Sequence, residues 1–312
     1  MTKKTPCKHD VSIGICCYNE EETIAALLNN LIKKQDLTSS SEVIVVCSGC
    51  SDNTPQIVEE FSRKDKRIRL IEEHKRQGKA SAVNIILNEA GNDFIVWIDA
   101  DHIPLENSLN HLLGHFSDPQ IGIVSGYHIP INKREGLMGK IGYTNMSLHN
   151  FSRQYCFENS INQQYGDVFW AMRREICTHI PKDIVGDDAY IGVECEQKGF
   201  KMYLEEKAVA FFWTPQTIND YVTQRRRFTY GNLLIKRKTG KRVEVLETLP
   251  TRHKLTILSR WLAGNMRAIP YLTVIILIET CTGFLARLDL KRKNRSISWK
   301  MAQSTKRSFS KK

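Results

Sequence analysis

Residues 94–104 read FIVWIDADHIP, an apolar run that leads directly into Asp99 and Asp101, with His102 next and Pro104 closing the stretch. The run suits a buried strand that ends at Ile98, so Asp99 and Asp101 belong to the turn beyond it, where both carboxylates can face a crevice. Hard oxygen ligands in that position suit Mg2+ or Mn2+, ions that keep several waters and bind a substrate diphosphate. A solvated turn also produces Asp-x-Asp readily, so the pattern alone is weak.

Two further groups carry chemistry. In VGDDAY, Asp187 and Asp188 stand just ahead of the helix-like run YIGVECEQKGF. There they are either reactive carboxylates or a helix cap with a neighbouring acid. QRRRF places Gln224, Arg227 and Phe228 at i, i+3 and i+4, one face of a helix. A guanidinium fork is bidentate and always charged, which fits a diphosphate. The competing reading is a basic amphipathic helix on a membrane, for which Arg225 and Arg226 remain spare.

Such groups must be positioned by a scaffold, and the N-terminal half alternates between two periodicities. VSIGIC (11–16) reads as a strand, and EEETIAALLNNLIKK follows with Ile24, Leu27, Leu28 and Leu31 at helical spacing, opened by acids that suit a helix N-terminus. EVIVVC (42–47) then leads through SGCSDNTP, with Thr54 as the expected N-cap and Pro55 as the first helical residue, into a helix carrying Ile57, Val58 and Phe61. RIRLIE, GKASAVNIILNEA and DFIVWID continue the series. The alternation predicts an α/β fold with a mostly parallel, twisted sheet flanked by helices and joined by right-handed crossovers. Ligands of such sheets bind beyond the carboxyl ends of the strands, where Asp52 and Asp99 both lie.

With 312 residues, 41% hydrophobic and 25% charged, the chain is long and apolar enough to bury a substantial core. Its nine cysteines are irregularly spaced and nothing at the N-terminus resembles a cleavable signal, so reduced thiols in a cytosolic compartment are expected. Cys47 and Cys50 form a CxxC without the further ligands of a zinc site. The net charge of +11 is uneven: residues 287–312 hold ten Lys/Arg against the single acid Asp289. No nucleic-acid motif accompanies this basic tail, and a nucleic-acid partner is not expected.

Directly before the tail, residues 268–286 read AIPYLTVIILIETCTGFLA, with Glu279 as the only charge. A helix of this length reaches roughly 28 Å, about the thickness of a bilayer core. Glu279 would cost about 2.5 to 3.5 kcal/mol at the bilayer centre. The segment predicts membrane association, with a basic tail suited to anionic lipid headgroups; a buried core helix is the alternative. The expected organisation is a catalytic domain over 1–240, a helical membrane-associating region over 241–286 and a basic tail over 287–312.

Several segments taken in order have a specific likeness. VSIGICCYNEEETI resembles the opening strand and turn of family 2 glycosyltransferases, SGCSDNT their nucleotide loop, RQGKASAVN their GKxxAxN segment and IDAD their DxD. VGDDAYIGVECEQKGFK resembles their acidic segment, and QRRRFTYG their QxxRW. This resemblance spans about residues 11–231 and implies a GT-A fold with Mg2+ or Mn2+ as cofactor. It implies Asp101 as metal ligand, Asp99 near the metal or contacting ribose, and Glu20, Asp52 and Lys79 lining the nucleotide pocket. Asp188, the second acid of its pair, would be the base, with Asp187 close behind. Gln224, Arg227 and Phe228 would touch the diphosphate and the acceptor end.

Two departures qualify these expectations. Phe228 stands where the motif has Trp, which keeps a stacking plane but changes acceptor positioning. Cys47 and Ser48 stand where many relatives have two aspartates; Ser48 can still hydrogen-bond a base edge, but a carboxylate to read the uracil imide is lost, and GDP is as open as UDP.

The function so implied is inverting transfer of a sugar, of the hexosyltransferase type, from a nucleotide-sugar donor to a hydroxyl acceptor. A single carboxylate base without a nucleophile fits one in-line displacement. A lipid-linked or cell-surface glycan is the expected acceptor, at the cell membrane, with the catalytic domain on the cytoplasmic side. A sugar-1-phosphate nucleotidyltransferase would need a GxGxRxxP loop and a dinucleotide-binding oxidoreductase a GxGxxG, and CCYNEEE is neither. The non-enzymatic alternative is a catalytically weak, membrane-bound sugar-nucleotide-binding protein.

Overall fold

Val11, Ile13 and Ile15 of β1 (Val11–Cys17) face Leu27, Leu28 and Leu31 of α1 (Ile24–Lys34), while Cys16 faces the opposite side of the sheet. The same period of two divides β2 (Glu42–Ser48), whose Val43, Val45 and Cys47 join the first core and whose Ile44 and Val46 join the second. A sheet buried on both faces needs such near-continuous apolar strands. The computed structural model describes residues 9–132, 135–161, 169–292 and 301–309.

The chain continues through α2 (Thr54–Lys64), β3 (Ile68–Glu73), α3 (Lys79–Glu89), β4 (Phe94–Ile98), β5 (His102–Pro104) and α4 (Ser108–Leu113). Then come β6 (Ile121–Pro130), α5 (Gly136–Glu158), β7 (Phe169–Arg173), α6 (Asp187–Gln197), β8 (Lys201–Phe212) and α7 (Ile218–Thr239). Two further helices, α8 (Thr251–Gly264) and α9 (Ile269–Arg292), follow. The eight-stranded sheet has the order β3-β2-β1-β4-β7-β6-β8-β5. Its first half is parallel throughout, as the alternation predicts. Beyond β4 it is mixed: β7 runs antiparallel to both β4 and β6, β6 and β8 are parallel, and β5 is antiparallel to β8.

Strand order reverses at β1, which has β2 on one side and β4 on the other. The segments leaving β1 and β4 therefore diverge, and the crevice opens between residues 18–20 and residues 99–101.

Two local expectations shift. Thr54 opens α2 as a helical residue with Asn53 at the cap, because the Asp52 carboxylate accepts from both the Thr54 N–H (3.1 Å) and its hydroxyl (2.6 Å) and ends the loop one residue early. The acids 20–22 precede α1 and form no part of its first turn; the Glu20 carbonyl accepts the N–H groups of Thr23 and Ile24, and its carboxylate turns inward.

The C-terminal helices share cores with the α/β body. Leu148 and Cys156 of α5 pack with Ile257 and Trp261 of α8 and Leu272 of α9, and Ile141 of α5 packs with Tyr221 of α7 and Ile275 of α9. Among the described residues, the helix over Met266–Arg292 is long and apolar enough, by length and composition, to cross a membrane. Residues 293–300 and 310–312 of the expected basic tail lie outside the described residues.

Candidate active site

β4 ends at Ile98, and Asp99 to Asp101 form the turn that precedes β5, closed by the His102 N–H to the Asp99 carbonyl (3.1 Å). Lys79, the first residue of α3, reaches across the crevice. Its ammonium lies 3.0 Å from Asp99 and 3.4 Å from Asp187, the first residue of α6. One cation thus links the carboxyl end of β4 to the start of a helix 88 residues further on in the chain. Burial by itself would lower the Lys79 ammonium, but the carboxylates of Asp187 and Asp99 outweigh it and hold the group well above its ordinary range.

The two helices carrying this link are tied together. Asn84 of α3 donates to the Ile180 carbonyl and accepts the Ile180 N–H, both at 2.8 Å, which anchors the loop leading to α6. Gly186, at φ 92°, turns that loop into the helix, a conformation unfavourable for any residue with a Cβ. Gly231 lets α7 close over it, since a Cβ there would lie 2.4 Å from the Val185 carbonyl oxygen. Asp187, Asp188 and the inner face of α7 are therefore held at the same cleft.

The Asp101 carboxylate accepts from His102 Nδ1 at 2.8 Å, and the His102 ring stacks on Phe212. Burial would raise the Asp101 carboxyl; the His102 ring and the Lys306 ammonium hold it below its usual value. Ligand atoms of Asp99, Asp101 and His102 lie within 4.8 Å of one another. Two carboxylates and an imidazole in that space fit a divalent cation; Lys79 stands against Asp99, and the Lys306 charge acts on Asp101. Glu20, opposite, is nearly buried; burial and the Asp101 charge raise its carboxyl to about 7 against the opposing effect of Lys306.

A cleft of about 360 Å3 is lined by Glu20, Ser48, Lys79, Asp99, Asp101, Asp187, Asp188, Gln224, Arg227 and Phe228. Asp52, expected in the same pocket, is not among its lining residues. Its carboxylate is taken up by Thr54 and by the Glu21 N–H at 3.2 Å, so it is a turn residue that joins α2 to the segment after β1.

Several lining residues were not expected from the sequence. Tyr18 carries the Arg76 guanidinium over its ring at 4.0 Å, and both line the cleft together with Ser48. Both lie inside segments already singled out, so their neighbours were the available signal. His102 also lines the cleft, and its place directly after the Asp-x-Asp pair was the available signal; Trp213, Met301, Ala302 and Thr305 line it too, and nothing in their local sequence marks them.

Arg225 and Arg226 are not spare. Arg225 pairs with Glu279 and, at 3.1 Å, with Glu247, and it also lies over the Phe228 ring; Arg226 pairs with Asp289 at 2.7 Å. The only charge within residues 268–286 thus has its counter-ion on α7. The eight cysteines among the described residues are all free thiols.

Poly-beta-1,6-N-acetyl-D-glucosamine synthase of Staphylococcus aureus (strain COL) is 25% identical over 228 residues, covering 71% of this chain and 54% of the relative. The chain thus spans about half the length of the curated relatives it matches. Among solved structures, the mannosyltransferase PcManGT from Pyrobaculum calidifontis, in complex with GDP-Man and Mn2+, aligns with a TM-score of 0.59 at 21% identity over 93% of this chain and 83% of that one. Residues 1–349 of S. aureus TarS align with a TM-score of 0.52 at 19% identity, covering 81% and 70%. These likenesses show a shared fold. The family model described as glycosyl transferase family 2 matches residues 12–180, more than half of the chain and all of the β1, α3 and β4 groups around Lys79, and the chain belongs to that family.

Proposed function

We propose that this chain transfers a sugar from a nucleoside diphosphate sugar to an acceptor hydroxyl, with inversion at the anomeric carbon. The observation that carries this reading is the Asp99–Lys79–Asp187 link, which unites the Asp-x-Asp turn with the acidic start of α6 in one cleft. Asp101 and Asp99 would hold Mg2+ or Mn2+, and such an ion, when bound, neutralises charge developing on a leaving diphosphate. Arg227 and Gln224 on the inner face of α7 offer donors to the same phosphates, and Phe228 a stacking plane for the acceptor. Tyr18, Glu20, Ser48 and Arg76 form the nucleoside end, where no aspartate pair selects uracil.

Asp187 pairs with Lys79 at 3.4 Å, and both Asp187 and Asp188 line the cleft. Asp188 is the proposed base that takes the proton of the acceptor hydroxyl. With one base and no nucleophile, a single displacement follows, and configuration inverts. A screen of labelled UDP- and GDP-sugars over native membranes tests the reading: acceptor-dependent release of nucleotide supports transfer, and binding without release marks a sugar-nucleotide-binding protein.

The acceptor is proposed to be a lipid-linked or cell-surface glycan. Support comes from α9, whose outward face presents Ile269, Ile276, Leu277 and Phe284 to solvent while its inward face is paired to α7. Residues 1–240 would be the catalytic domain, 241–286 the layer facing the membrane and 287–312 a basic tail. Free thiols support a cytoplasmic position for the catalytic domain.

A further inference from the structure

The tail does not stay with the apolar helix. Residues 301–309 return to the cleft, which Met301, Ala302 and Thr305 help to line. The Lys306 ammonium lies 2.7 Å from Glu20 and donates to the carbonyls of Asn19 (2.9 Å) and Tyr18, with both charged side chains only 7% exposed. An ammonium has three donors, and three acceptors meet it here, which makes this a built seat. Flanking contacts fix the same segment: the Ser304 N–H donates to Asp220 (3.1 Å), the Gln216 N–H donates to the Ser304 hydroxyl (3.0 Å), and the Arg307 guanidinium lies over the Trp213 ring at 4.8 Å.

We propose that residues 301–309 form an autoinhibitory strap, in which Lys306 occupies the acceptors that a nucleoside needs, so that strap and donor exclude one another. This inference rests on the reading of the cleft as a donor site. A base and a ribose bring N–H and O–H donors to a pocket, and the Glu20 carboxylate and the carbonyls after β1 are the acceptors at that end; Lys306 uses them. Thr305 and Ala302 fill space beside them in the same cleft. A strap seated about nine-tenths of the time lowers apparent donor affinity about tenfold, because only the open fraction binds.

The experiment is calorimetry on the full chain with UDP and with GDP in Mn2+, comparing the parent with Lys306→Ala/Arg307→Ala, together with hydrogen exchange of residues 301–309 in the parent. The strap predicts about tenfold tighter binding in the variant and faster exchange of residues 301–309 once nucleotide is added to the parent. Equal or weaker binding in the variant, or slower exchange with nucleotide, overturns it and makes the segment inert or a lid that helps hold the donor. If the variant fails to fold, the exchange measurement on the parent decides alone. Failure of both nucleotides to bind parent and variant alike is a separate outcome: it overturns the donor-site reading itself, and the strap with it.

Discussion

Arg226 donates two hydrogen bonds of 2.7 Å to the Asp289 carboxylate, joining α7 to α9 across 63 positions of sequence. Asp289 is only 5% exposed. Removing the guanidinium takes a two-pronged ion pair away from a buried carboxylate, so Arg226→Ala should cost about 3 kcal/mol of stability. Adding Asp289→Asn should recover part of that loss. Urea denaturation checks both, and a parent-like midpoint for Arg226→Ala would show that the pair contributes nothing.

Asp101→Asn removes one charged ligand from the Asp99, Asp101 and His102 group. Turnover should fall at least about a hundredfold, equivalent to ~2.7 kcal/mol of barrier lowering, while the fold persists. Parent turnover should depend on added Mg2+ or Mn2+. Undiminished activity in EDTA rules out the metal assignment.

Asp188→Asn should abolish transfer and leave nucleotide affinity within a few fold, because a base acts in the transition state. Asp187→Asn takes away one of the two carboxylates facing Lys79, so its main effect should fall on donor affinity. Calorimetry beside single-turnover rates separates the two. The reverse pattern would assign the base to Asp187.

Ile276, Leu277 and Phe284 are more than half exposed on one face of α9. Apolar burial is insensitive to screening, so the parent should pellet with membranes even at about 1 M salt. Replacing all three by serine removes about 2 kcal/mol each of lipid burial and should release the chain to the supernatant. A parent already found in the supernatant without detergent would remove the support for a lipid-linked acceptor.

Glu20 gives a pH dependence with a definite sign. Its carboxyl is raised from the usual 4.5 to about 7, mainly by burial, so the folded chain keeps this proton where the unfolded chain has lost it. Stability from this group is full below about 4.5 and declines as pH rises toward 7. Glu20→Gln, which cannot ionise, should therefore gain stability relative to the parent across that window and hold the gain above it. Thermal melts from pH 4 to about 8 test this; a constant offset between the two proteins contradicts it.

Much of the fold was legible because its signals are local. Period-two burial in β1 and β2 and helical spacing in α1 are fixed by backbone geometry over a few residues, and the Asp-x-Asp turn follows from where the apolar run of β4 stops. The same holds for Gln224, Arg227 and Phe228, which share a face on any helix and do line the cleft. Local competition places Asp52: it has hydroxyl and amide donors two residues away, and these hold its carboxylate in the turn before α2.

What the tertiary structure alone decided involves partners far apart in sequence. Antiparallel insertion of β7 between β4 and β6 has no local mark, since a strand's direction depends on its neighbours and not on its own residues. Glu279 in an apolar run reads as a cost to membrane insertion until Arg225 is seen beside it on α7. Lys306 reads as one cation of a basic tail until Glu20 is seen at 2.7 Å. In each case charge and hydrogen-bonding capacity are properties of the residue, but whether they are met by water, lipid or another side chain depends on which distant segment packing brings within reach.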